Sequence, residues 1–320
     1  MDEETYIDRF NMKSEILQRQ GGFSIMNVRK AVITTGGLGT RLLPVSKEIP
    51  KEMLPLFSLS NGVIGLKPIV HMVFEDLFQV GIREFCFIVG RGKRVLEDYF
   101  TPDTSFIDLL QDRGLSDRTE CLKEFYSMVF QSKIFFINQP EPRGFGDAVL
   151  HAEPFVGDEP FLLHAGDDVV LSHNCDHFRR LIKVFEDYDA DATVLIEEVE
   201  DPRAYGVALG KAVDNYGNIL KITDVVEKPE EPPSNIAVIA IYVFKPKIFN
   251  YIREVKPDGS GEIQLTQAVK LMINNGGEVY GVRLGPNERR LDVGTPQTYW
   301  KALYESHQWA LKRLLEHGRR

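Results

Sequence analysis

The 320-residue chain has only three cysteines, Cys86, Cys121 and Cys175, and two tryptophans. An odd number of cysteines at spacings unlike any metal site predicts reduced, mostly buried thiols, not a disulfide framework or a zinc centre. Positive charge is in deficit. Lys and Arg number 38 against 47 Asp and Glu, a formal net charge of −9. A nucleic-acid backbone calls for a basic surface, so nucleic acid is not an expected partner, whereas a small anionic substrate is compatible with a local basic cleft. No run approaches the ~18 apolar residues of a membrane span, and the acidic start MDEETYIDRF does not read as a secretory leader. No membrane association and a cytoplasmic location are therefore expected. Low-complexity tracts and internal repeats are also missing.

What is present is an ordinary globular composition, 43% hydrophobic and 27% charged, in a chain long enough for a large core. Residues 1–27 are polar and end in QGGFS, which predicts an arm or linker outside the core fold. From residue 28 strands and helices alternate. VRKAVITT (28–35), REFCFIVG (83–90), KIFFINQ (133–139) and PFLLHAGDD (160–168) read as strands. Between them, 67–81 carries apolar residues at helical spacing and closes on Gly81. Residues 101–130 read as a helical excursion, and helices are expected near 146–152 and 174–188. This alternation predicts an α/β fold, a Rossmann-like, mixed but mostly parallel sheet flanked by helices. From 191 onward strands follow one another without long helices, which predicts a mixed extension of the sheet. A helix near 262–274, a strand EVYGVRL and a long helix over 296–316 complete the chain. The expected organisation is one domain over 28–320, with a first half at about 28–170, a second half at about 171–295 and the C-terminal helix over 296–316.

The segment TTGGLGTRLLPVSKEIPKEMLPL (34–56) follows the first strand and fits neither common phosphate loop. A dinucleotide fingerprint needs a third glycine where Leu42 stands, and a P-loop needs Gly-Lys-Ser/Thr where Gly39 is followed by Thr40 and Arg41. Its chemistry still suits an anion. Glycines let backbone N–H groups converge on a phosphate, Arg41 offers a two-pronged donor, and Lys51 a mobile charge. Pro44, Pro50 and Pro55 stiffen the segment that carries them.

This loop closely resembles that of the sugar-1-phosphate nucleotidylyltransferases, and its IPKEMLP ending is most similar to the bacterial-type UTP–glucose-1-phosphate uridylyltransferase branch. GIREFCFIVGRGKRVLEDYF, NQPEPRGFGDAVLHAEPFVGDEPFLL, VVEKPEEPPSNIAV, KPDGSGEIQLTQAV and LDVGTPQTY match in the same order, over roughly 28–310. The resemblance implies transfer of a uridylyl group from UTP to glucose-1-phosphate, with release of pyrophosphate. It also implies a homodimer or homotetramer, and Mg²⁺ as cofactor. Charge neutralisation and positioning are the task in such a reaction, and no general base is needed.

By the same resemblance Gly36, Gly37, Leu38 and Gly39 cradle the nucleotide, and Arg41 and Lys51 hold the triphosphate. Asp167 and Asp292 ligate the metal. Gln139, the Gly144 backbone and Glu52 read the base, Glu52 accepting the uracil N3–H. Gly206, Glu227 and Lys228 bind the sugar phosphate. Read alone, Asp167 and Asp168 could also cap a helix, and VVEKP could be an exposed charged turn.

The chain departs from the branch in places. TTGGLGTR replaces the usual AAGLGTR and looks more like the thymidylyl branch. Asp147 stands where the branch has His. Ala240 and Ile241 replace Gly and Arg, and AGDD replaces LPD. A methyl on the base is worth only ~1–3 kcal/mol of discrimination, so a thymidylyltransferase or an enzyme using both UTP and dTTP stays open. A catalytically silent nucleotide-sugar sensor is the third alternative.

Overall fold

A computed structural model describes residues 27–115 and 119–317. The expected N-terminal arm lies, apart from Asn27, outside the described residues. The chain runs β1 (Lys30–Thr35), β2 (Pro55–Ser60), β3 (Val63–Pro68), α1 (Ile69–Gln79), β4 (Glu84–Val89), α2 (Arg94–Tyr99), α3 (Thr104–Asp112), α4 (Glu120–Phe130) and β5 (Lys133–Asn138). It continues through α5 (Phe145–Leu150), α6 (Glu153–Val156), β6 (Phe161–Ala165), β7 (Asp168–Leu171), α7 (Asp176–Asp187) and β8 (Ala192–Glu198). Then come β9 (Gly206–Ala212), β10 (Ile219–Glu227), β11 (Ile236–Phe244), α8 (Ile248–Glu254), α9 (Leu265–Asn274), β12 (Val279–Arg283), β13 (Arg289–Asp292) and α10 (Pro296–His317).

Nine strands form one sheet in the order β5-β4-β1-β6-β11-β8-β12-β10-β9. β10 and β11 run against the other seven, so the sheet is mixed while most strands share one direction. The mixed part is the stretch after residue 191, as the missing crossover helices predict. Alternation within each strand explains why both faces are covered. Ala31, Ile33, Phe85 and Phe87 join one core with Phe74 and Leu77 of α1, Phe125 of α4 and Leu181 of α7. Val32, Cys86, Ile88 and Leu163 point the other way, onto Val149 of α5, Phe249 of α8 and Met272 of α9. Phe74 is the centre of an aromatic cluster, its ring 4.6 Å from Phe85, 5.1 Å from Phe100 and 5.9 Å from Phe125. Truncating such a fully buried ring costs ~3–5 kcal/mol.

Two short ribbons were not expected from the sequence. β2 and β3 pair through Asn61-Gly62, both with positive φ (51° and 75°), the turn that matches strand twist. β7 and β13 pair antiparallel and bring residues 168–171 against 289–292.

The site follows from the topology. The chain steps outward from β1 to β4 and β5, then returns to lay β6 on the other flank of β1. At such a reversal the loops leave in opposite directions and open a crevice beyond the carboxyl ends of the strands. The loops leaving β1 and β6 begin at Gly36 and Gly166, and Gly166 N–H donates to the Thr34 carbonyl (2.9 Å), keeping them side by side.

Candidate active site

After β1 the glycine segment turns at Gly39 (φ 64°), and the Ser46 hydroxyl donates to the Gly39 carbonyl (2.7 Å), folding the loop back on itself. Short helical turns at Thr40–Leu42, Val45–Lys47 and Lys51–Met53 carry the cations. A cavity of about 220 Å³ opens here, lined by Gly36, Gly37, Leu38, Lys51, Lys93 and Gln139 among others. Gly36 lets the Gln139 side chain come close, since a Cβ there would lie 2.6 Å from Gln139 Oε1 and push the amide aside.

Lys51 Nζ forms an ion pair with Asp167 Oδ2, joining the loop after β1 to the loop after β6. Burial works to lower the Lys51 pKa, but the negative charges of Asp167 and then Glu52 outweigh it, so the ammonium is held above its ordinary range. Burial likewise works to raise Asp167, and Lys51 overcomes it, holding the carboxylate below its usual range. Both groups are therefore charged at neutral pH.

The neighbouring acid has a different task. Asp168 accepts two hydrogen bonds from Arg290, at 2.9 Å from Nε and 3.2 Å from Nη2, and Arg290 also donates to Glu197 (2.9 Å). Asp292 is the register partner of Asp168 across the β7–β13 ribbon. Burial, then the negative charge of Asp168, pushes the Asp292 pKa up. Arg41 reaches the same place. A Cβ on Gly294 would lie 3.1 Å from Asp292 Oδ1 and 3.3 Å from Arg41 Nη2. Among the described residues no three His, Cys, Asp or Glu side chains gather as a metal cage. A hard cation bound by one or two carboxylates and by phosphate oxygens needs no such cage, so Asp167 and Asp292 fit a divalent ion of that kind.

Gln139 is 5% exposed at the end of β5. Its Nε2 donates to Asp147 Oδ2 (2.7 Å) and to the Gly144 carbonyl (3.3 Å). Gly144 (φ 102°) could not carry a side chain, because a Cβ would lie 2.8 Å from the backbone of Ile263.

Glu52 departs from its expected role. It is fully buried, does not line the cavity, and accepts a 2.7 Å hydrogen bond from Lys93 Nζ, leaving Oε1 without a hydrogen-bond partner. Burial raises its pKa against the pull of Lys93. The structure thus places the Glu52 carboxylate against Lys93, with its charge also raising the Lys51 pKa.

Gly206, Glu227 and Lys228 come together in a second cluster. Thr266 Oγ1 donates to Glu227 Oε2 (2.6 Å), and Lys228 Nζ lies 3.2 Å from Glu227 Oε1. Lys228 has φ 38°, an uncommon backbone for a lysine, and its N–H donates to the Tyr205 carbonyl (3.0 Å). The Arg290 guanidinium sits 5.0 Å from the centre of the Tyr205 ring, so the two clusters are connected through Tyr205, Arg290 and Asp168. Lys93, Asp147, Thr266 and Arg290 are the members that sequence reasoning did not single out as site residues. Only Asp147 left a signal, as a departure from the branch pattern.

The profile of the family described as Nucleotidyl transferase matches residues 30–308. A Bacillus subtilis protein named UTP–glucose-1-phosphate uridylyltransferase YngB is 38% identical, over 76% of this chain and 78% of its own. UTP–glucose-1-phosphate uridylyltransferase 2 of Staphylococcus saprophyticus is 33% identical, over 89% and 93%. A solved UDP-glucose pyrophosphorylase complexed with UDP-glucose superposes with a TM-score of 0.75 at 30% identity, covering 88% of this chain and 99% of that one.

Proposed function

We propose, from the premise that the chain belongs to the nucleotidyl transferase family, that it joins UTP to glucose-1-phosphate and releases UDP-glucose and pyrophosphate. The observation that carries this reading is the Lys51–Asp167 pair at the β1/β6 crevice, with Arg41 and Asp292 beside it. Cations and carboxylates set together at the mouth of a glycine loop suit crowded phosphates. The names of the relatives support UTP and glucose-1-phosphate as the substrates.

In the reaction an oxygen of the sugar phosphate attacks the α-phosphorus of UTP. The bond to the bridging oxygen of the β-phosphate breaks, and its electrons leave with pyrophosphate. The attacking oxygen is already anionic, so the residues position and neutralise rather than abstract a proton. Arg41 and Lys51 hold the triphosphate, and Lys228 the sugar phosphate, while Glu227 accepts hydroxyls of the sugar. Mg²⁺, held by Asp167 and Asp292, would supply charge neutralisation at the phosphates. Gln139 faces the base.

Mass spectrometry of a reaction containing UTP, glucose-1-phosphate and Mg²⁺ tests the proposal. UDP-glucose and pyrophosphate should accumulate in equal amounts. Absence of UDP-glucose while another nucleotide gives product would overturn the substrate assignment, and no product from any nucleotide would favour the sensor alternative.

A further inference from the structure

Gln139 has both donor hydrogens directed away from the cavity. Its Nε2 donates to Asp147 Oδ2 at 2.7 Å and to the Gly144 carbonyl at 3.3 Å. Its Oε1 is turned toward Gly36, where an added Cβ would meet it at 2.6 Å, and accepts no hydrogen bond among the described residues. Gln139 lines the cavity with Gly36 and Gly90. The Asp147 side chain is 13% exposed, with His151 Nε2 at 3.6 Å from the same Oδ2 and the charge of Arg143 also within electrostatic reach.

An amide can present either its oxygen or its nitrogen, and the hydrogen-bond network decides which. A carboxylate and a carbonyl are both acceptors, so turning the amide over would set Gln139 Oε1 against two oxygens. We propose that Asp147 is a specificity-determining residue that locks the Gln139 amide with its oxygen toward the nucleobase. The inference rests on the reading of Gln139 as the base contact. Uracil and thymine present an N3–H that this oxygen can accept. Cytosine presents a bare N3, which would face Oε1 lone pair to lone pair. The chain thereby selects among pyrimidine nucleotides without any contact between Asp147 and the base.

Asp147→Asn supplies a donor where only an acceptor stood, so the Gln139 amide can turn and offer N–H to cytosine. The test measures kcat/KM for UTP and CTP, and calorimetric Kd values for both, in the wild type, Asp147→Asn, Asp147→Ser and Gln139→Ala proteins. The expected result is a rise of roughly tenfold in the CTP-to-UTP ratio in Asp147→Asn, in both kcat/KM and affinity. Asp147→Ser, which also removes the obligate acceptor, should shift the ratio the same way and serves if the Asn variant fails to fold. An unchanged ratio in the folded variants, with Gln139→Ala still weakening UTP, would overturn the role of Asp147 alone. UTP affinity unaffected in Gln139→Ala would instead remove Gln139 from the base site, and the inference with it.

Discussion

Asp292 stands opposite Asp168 across the β7–β13 ribbon, and Asp168 is already held by two donors of Arg290. The adjacent Asp167 turns the other way and pairs with Lys51. Two consecutive acids thus serve different purposes. One ties a buried arginine into the ribbon, and the other faces the crevice.

Substitution should separate them. Asp168→Ala leaves Arg290 buried beside a hole, and breaking such a pair costs ~3–5 kcal/mol. Asp167→Asn should cost less stability than Asp168→Ala, because the Lys51–Asp167 pair is less buried than Arg290–Asp168, and should cut turnover by ~10²-fold or more, since its charge acts where phosphates react. Denaturant unfolding and steady-state rates on the two variants check this. Near-normal turnover in Asp167→Asn would remove it from the reaction centre.

The buried Lys93–Glu52 pair makes a second prediction. Glu52 is 0% exposed and Lys93 9%. Lys93→Met should cost ~3–5 kcal/mol by leaving the carboxylate uncompensated, and adding Glu52→Gln should restore most of that loss. A double-mutant cycle by urea unfolding measures the coupling. Equal cost for Lys93→Met in both backgrounds would show that the pair does not act as a unit.

Asp76 on α1 carries a pH dependence. Burial, then the charge of Glu75, pushes its carboxyl up to about 7, whereas in the unfolded chain an aspartate titrates near ~3.9. The folded state therefore holds this proton more tightly. Its contribution is an unfavourable one that grows as pH rises from ~4 through ~7 and is complete above that. Asp76→Asn should raise Tm at pH 8, by roughly 2–4 °C for each kcal/mol recovered, and change little at pH 4. Calorimetry at the two pH values decides, and an equal shift at both would contradict the burial account.

The α/β alternation was legible because buried parallel strands are continuous apolar runs, and Phe85, Phe87, Phe161 and Leu163 are all of that kind. The cations and acids of the crevice were legible because Arg41, Lys51 and Asp167 sit in recognisable segments at strand ends. The β2–β3 hairpin is harder to read, although Asn61-Gly62 is a strong turn signal, since it lies just beyond a proline-rich loop. Four-residue strands such as β13 show no periodicity to read. The Lys93–Glu52 contact links residues 41 apart in sequence and depends on tertiary placement alone. The burial of Glu52 against Lys93 is therefore not visible in the sequence.

The most direct measurement of the central claim is kcat/KM for pyrophosphate release with glucose-1-phosphate and either UTP or dTTP as the nucleotide. UTP should be preferred by roughly tenfold or more, because losing a hydrogen-bonded ribose 2′-hydroxyl costs far more than accommodating one methyl. A dTTP value equal to or above that for UTP would contradict the assignment of this chain as a uridylyltransferase.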